Sequence, residues 1–176
     1  MPTSSHAKDI KIAHLNKEFI GFKSTSFQAW DASVYAKSVN DQYDWSGLYI
    51  AEKQETAEGY IPDMVSADGR GIAYLQKVQL IAATNIIIFY DDGFKTGDID
   101  TEKVKRNLRD HGIEVKSNEL LIPALGKLGY LFKCYNNEEG EMEIIIPNSL
   151  INKVSMVPYK QVELKNFEII KETILG

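Results

Sequence analysis

Short runs of β-branched and aromatic residues separated by polar turns dominate this chain. Residues of that kind fit a pleated, half-buried surface, so the runs read as strands. Strands are expected over 18–26, 47–51, 73–82, 85–90, 129–135 and 143–146. One or two more fall in 154–164, with a final strand or short helix at 167–175. Three stretches carry helical features instead. Phe27, Trp30 and Val34 recur at helical spacing, which predicts an amphipathic helix over 27–39. Residues 52–60 are mostly good helix formers, and Pro62 ends that element. Residues 101–111 place Val104 and Leu108 on one face, with Asp100 or Thr101 as N-cap and Gly112 as the stop. Asp68-Gly69-Arg70-Gly71, Asp91-Asp92-Gly93 and the polar stretch 136–140 punctuate the strands. The outcome is an α+β fold with many strands and two to three helices.

Composition narrows the class. The 176 residues suit one domain, expected over 18–176 after a polar segment at 1–17 that is loosely ordered. With 44% apolar and 26% charged residues the chain is globular and not disordered. Twenty Lys and Arg against 25 Asp and Glu give a net charge of −5, which argues against broad binding to nucleic acid or to an anionic membrane. The single cysteine, Cys134, excludes an intrachain disulfide and a Cys-rich zinc site. His6, His14 and His111 lack metal-ligand spacing, so no metal is expected. Residues 1–17 hold no apolar stretch of signal-peptide length, and the longest apolar run, residues 86–90, has the length of a strand. A soluble protein without membrane insertion is expected.

Three pieces of sequence carry chemistry. Glu141 and Glu143 alternate at the start of an apolar strand, which points both carboxylates the same way. Such a pair divides labour: one stabilises a developing cation or grips a hydroxyl, the other accepts a proton. Tyr49 on a strand and Tyr60 on the following helix face each other across a cleft, a slot for a flat, cationic ring. Ser24, Thr25 and Ser26 offer hydroxyls to a ribose or to the floor of that slot.

The stretch Asp44-Trp45-Ser46-Gly47-Leu48-Tyr49-Ile50-Ala51, with Ala57-Glu58-Gly59-Tyr60 after it, resembles the nicotinamide-binding segment of ADP-ribosylating toxins of the diphtheria toxin and exotoxin A type. Glu141-Met142-Glu143 followed by Ile144-Ile145-Ile146-Pro147 resembles the Glu-x-Glu motif that opens the catalytic strand across the wider ADP-ribosyltransferase superfamily. The turn at Asp68-Gly69-Arg70-Gly71 sits where the exotoxins have a similar one. The resemblance spans roughly 18–160. It implies a split β-sandwich with an NAD cleft between two sheets and a mono-ADP-ribosyltransferase acting on a target protein. The nicotinamide of NAD would lie between Tyr49 and Tyr60. Glu143 would stabilise the oxocarbenium-like transition state, and Glu141 would orient or deprotonate an acceptor guanidinium. Tyr135, beside the loop that recognises targets in this superfamily, would touch the substrate protein.

Two positions depart from the exotoxin pattern. Phe22-Lys23-Ser24-Thr25 stands where those toxins have Tyr-His-Gly-Thr, so Lys23 replaces the histidine that helps hold the NAD ribose. Ser24-Thr25-Ser26 also resembles the Ser-Thr-Ser motif of the arginine-modifying branch, although it lies earlier in the chain here and no arginine precedes it. Besides the transferase, two readings stand: an NAD glycohydrolase with water as acceptor, and a catalytically silent binding module kept alive by Lys23. A bacterial toxin or effector is expected, made in the cytoplasm and delivered to a target cell by a specialised system or delivery partner, with an immunity protein as a further expected partner.

Overall fold

The computed structural model describes residues 10–38, 41–90, 101–135 and 141–176. The turn expected at Asp91-Asp92-Gly93 and the loop at 136–140 lie outside them. Among the described residues nine strands form one mixed sheet: β1 (Ile10–Leu15), β2 (Phe19–Thr25), β3 (Leu48–Ala51), β4 (Gly71–Leu80), β5 (Thr84–Phe89), β6 (Tyr130–Tyr135), β7 (Met142–Ile146), β8 (Val154–Lys165) and β9 (Glu168–Ile174). Within the same described residues four α-helices, α1 (Ala32–Ser38), α2 (Gln54–Gly59), α3 (Thr101–Arg109) and α4 (Leu121–Lys127), and 3-10 turns at Ile61–Met64 and Asn148–Lys153 complete an α+β fold dominated by the sheet. Among the described residues no helix is long and apolar enough to cross a membrane.

The strand order is β1-β5-β6-β7-β3-β2-β4-β8-β9. Every neighbouring pair is antiparallel except β5 with β6. One joint is unlike the others: β2 and β3 meet through a single residue pair, Phe22 opposite Ala51. Beyond it the strands part, β2 continuing along β4 and β3 along β7. Three buried clusters follow from this division. Phe89, Phe132 and Ile145 pack with Val104 and Leu108 of α3 and with Leu121 and Leu125 of α4. Leu48, Ile50, Ile144 and Ile146 pack on the other face with Val78 and Leu80. Ala51, Ala57, Ile61 and Leu75 form a third core beneath α2.

The strands fall within a few residues of the sequence expectation, and Val104 and Leu108 of the third predicted helix are fully buried as its periodicity requires. Several elements differ. Residues 10–15, expected to be loosely ordered, form the edge strand β1 against β5, with Ile10 its buried residue. Helix α1 starts at Ala32 and not at Phe27, because Asp31 caps it: its Oδ1 accepts the backbone N–H of Ser33 at 3.0 Å and of Val34 at 3.3 Å. Those bonds, with one from the Ser33 hydroxyl, hold the Asp31 carboxyl below its ordinary range. Helix α4 was not expected. Its first turn is capped from far away, the Asp44 carboxylate accepting Leu121 N–H at 2.9 Å and the Asp44 carbonyl accepting Ile122 N–H at 2.8 Å. The buried Lys105 of α3 secures the loop before α4, donating to the Glu119 carbonyl at 2.6 Å.

Candidate active site

The parting of β2 and β3 is where Lys23, Tyr49 and Glu143 come together. Gly21 makes the joint possible: a Cβ there would lie 2.3 Å from the Ala51 carbonyl oxygen. Ala51 in turn stands opposite Glu143 on β7, and Glu143 stands opposite Cys134 on β6. Phe22, Ala51, Glu143 and Cys134 therefore form one row across four strands. Glu143 is only 6% exposed, a carboxylate held inside the fold with a methyl group, Ala51, as its cross-strand neighbour.

Tyr49 lies on the same face of β3 as Ala51, two residues back. Its ring is half-buried against the core containing Phe132, and its hydroxyl donates to the Trp45 carbonyl at 2.6 Å. Burial, with the charges of Glu143 and Cys134 adding to it, pushes the phenol well above its ordinary range, so Tyr49 is neutral at all physiological pH. Lys23 spans the parting: its Nζ donates to the Tyr49 carbonyl at 3.0 Å. Burial pushes the Lys23 ammonium down to about 8, while the Glu143 carboxylate opposes that shift. Glu143, Tyr49 and Lys23 thus share one electrostatic environment although they come from three strands.

The two glutamates take different surroundings. β7 begins at Met142, so Glu141 just precedes it. The pairing of β3 with β7 continues past the strand ends, the Glu52 N–H donating to the Met142 carbonyl at 3.3 Å. That register sets Lys53 opposite Glu141, and their side chains form an ion pair at 2.8 Å. Glu141 is part-exposed and ion-paired while Glu143 is buried. Next to them Glu52 forms an ion pair with Lys133 of β6. Neither lysine was singled out from the sequence. The signal is the register itself, which counts Lys53 onto Glu141 once Ala51 is known to face Glu143.

The hydroxyl triplet divides. Ser24 and Thr25 are buried and Ser26 is exposed. The Thr25 hydroxyl is occupied by the fold, donating to the Phe27 carbonyl at 2.6 Å and accepting from Gln76 Nε2 at 3.1 Å. Gln76, fully buried on β4, also donates to the Phe27 and Gln28 carbonyls at 3.0 and 3.1 Å. This node fixes the segment between β2 and α1. Tyr60, half-buried, closes α2 with its N–H on Ala57 and opens the following 3-10 turn. Tyr135 ends β6 opposite Met142, directly before the stretch 136–140. Trp45 packs edge-on against Phe132 at 5.8 Å, and Trp30 donates from Nε1 to the Val154 carbonyl at 3.1 Å, so both tryptophans serve the core.

A buried carboxylate beside a small residue, flanked by a neutral tyrosine and a low-pKa lysine, suits stabilisation of positive charge developing on a bound molecule. Neither protein-family models nor curated proteins give a match to this sequence.

Proposed function

We propose that this protein is a mono-ADP-ribosyltransferase that takes ADP-ribose from NAD to a target protein, with a basic side chain such as arginine as acceptor, and that it acts as a bacterial toxin or effector. The observation that carries the reading is the convergence of Glu143, Tyr49 and Lys23 where β2 and β3 part. In this reading β1-β5-β6-β7-β3 and β2-β4-β8-β9 are the two leaves of a split β-sandwich, and NAD enters between them.

Tyr49, with Tyr60 from α2, supplies aromatic surface for the nicotinamide ring. Glu143 accepts a hydrogen bond from a ribose hydroxyl and stabilises the positive charge that grows as the glycosidic C1′–N bond breaks and nicotinamide leaves with the bonding electrons. An acceptor nitrogen then bonds to C1′, and its proton passes to Glu141. Lys23 stands in for the exotoxin histidine as a donor to ribose or phosphate. Ser24 and Ser26 keep hydroxyls for the same end of the cleft, while Thr25 supports it through Gln76. Tyr135 with 136–140 supplies the surface that meets the target.

The test is nicotinamide release from labelled NAD by wild type and Glu143→Ala. Loss of one well-placed electrostatic group costs about 10²–10³ in rate. Equal release by the two proteins overturns the proposal. The ion pair between Lys53 and Glu141 favours a second reading, NAD glycohydrolysis, because the residue meant for the acceptor already holds a cation. Nicotinamide release with no labelled protein in bacterial or eukaryotic lysates would select it.

A further inference from the structure

Lys53 has no part in the chemistry so far, yet it touches the residue that meets the acceptor. Its Nζ lies 2.8 Å from Glu141 Oε2, with the side chains 57% and 35% exposed. The contact is built into the fold, since Lys53 sits opposite Glu141 in the continued register of β3 with β7 and next to the N-terminus of α2. We propose that Lys53 is a latch that occupies the acceptor position at Glu141, so that an acceptor able to displace its ammonium reaches the reacting centre more readily than one that cannot. This inference rests on the transferase reading and narrows it to guanidinium acceptors.

The chemistry favours that class. A guanidinium presents a planar fork that binds a carboxylate through two parallel hydrogen bonds, whereas an ammonium is a strongly hydrated point charge. A guanidinium therefore displaces Lys53 from Glu141 more readily than an ammonium or a neutral hydroxyl does. Because the pair is partly exposed, its opening is a small barrier. Glu143, two residues along and buried, is untouched by the exchange, so hydrolysis of NAD proceeds with the latch closed.

The experiment uses agmatine, a small guanidinium compound, as acceptor. Lys53→Ala is expected to lower the KM for agmatine about two- to fivefold, the scale of a partly exposed ion pair. The KM for NAD and the rate of nicotinamide release into water stay at the wild-type values. Lys53→Arg, whose guanidinium grips Glu141 through two hydrogen bonds, brings the KM to the wild-type value or above, and in a Glu141→Gln background, which lacks the proton acceptor, Lys53→Ala leaves agmatine binding by calorimetry unchanged. An unchanged agmatine KM, an equal change in the Glu141→Gln background, or a matching shift in the KM for NAD overturns the latch. Absence of nicotinamide release that depends on Glu143 would overturn the transferase reading instead. In that case agmatine titrated into ¹⁵N-labelled protein still decides. Tighter binding to Lys53→Ala, with shifts at residues 141–143, supports the latch, and equal binding refutes it.

Discussion

Raising the pH should stabilise this protein, and Lys23 is the reason. The ammonium titrates near 8 in the folded chain against 10.5 when free, because burial penalises the charge. Below about pH 8 both folded and unfolded forms carry the proton, and the penalty is fully present. Between 8 and 10.5 the folded form releases its proton while the unfolded form keeps it, so stability climbs with pH. From about pH 7 to about pH 9.5 the gain works out at about 2 kcal/mol. For a domain of this size that corresponds to about 4–8 °C in Tm. The buried tyrosines do not cancel it: Tyr49, whose carbonyl Lys23 meets, and Tyr159 are both raised and act in the opposite direction only above their ordinary range near 10. Thermal unfolding followed by circular dichroism across this pH window is the assay, with Lys23→Met as the control. The reasoning fails if wild type shows no rise, or if Lys23→Met shows the same rise.

Other outcomes follow from single contacts. Asp44→Ala removes the carboxylate that caps α4 across 77 positions and should cost about 1–2 kcal/mol in denaturant unfolding. Gly21→Ala drives a Cβ into the Ala51 carbonyl and should destabilise the joint by more than about 2 kcal/mol, with amide exchange rising first at residues 22 and 51. Tyr49→Phe leaves the Trp45 carbonyl without its donor and should lower stability by about 1 kcal/mol while NAD affinity, measured by calorimetry, changes little. Ala51→Leu forces a larger side chain into a buried position opposite Glu143 and should lower stability by about 1–3 kcal/mol in denaturant unfolding.

Strands were legible because each is a run of residues whose side chains fit a pleat, and nearly all of them are buried on at least one face. β1 escaped notice because Ile10 alone among its residues is buried, so alternation is faint. The start of α1 was misplaced for a different reason: Phe27 has helical spacing from Trp30, but its carbonyl is claimed by Thr25 and Gln76, which keeps it out of the helix. α4 is short, carries Pro123, and borrows its cap from Asp44, and none of these features announces a helix locally. At the site, the order of Lys23, Tyr49 and Glu143 was visible, and the structure brings them together. The partners that decide how each carboxylate behaves were not visible, since Ala51 and Lys53 acquire meaning only through register.

β7 is inserted between β6 and β3, and through it β1, β5 and β6 are hydrogen-bonded to the rest of the sheet. Glu143 sits on that keystone. Assembly of the sheet and arrival of the carboxylate are thus a single topological event, and a chain in which β7 has not docked has neither a continuous sheet nor Glu143 beside Lys23 and Tyr49. A synthetic peptide carrying residues 141–147, added to a chain from which that strand has been displaced, should restore the continuous sheet and the placement of Glu143 together.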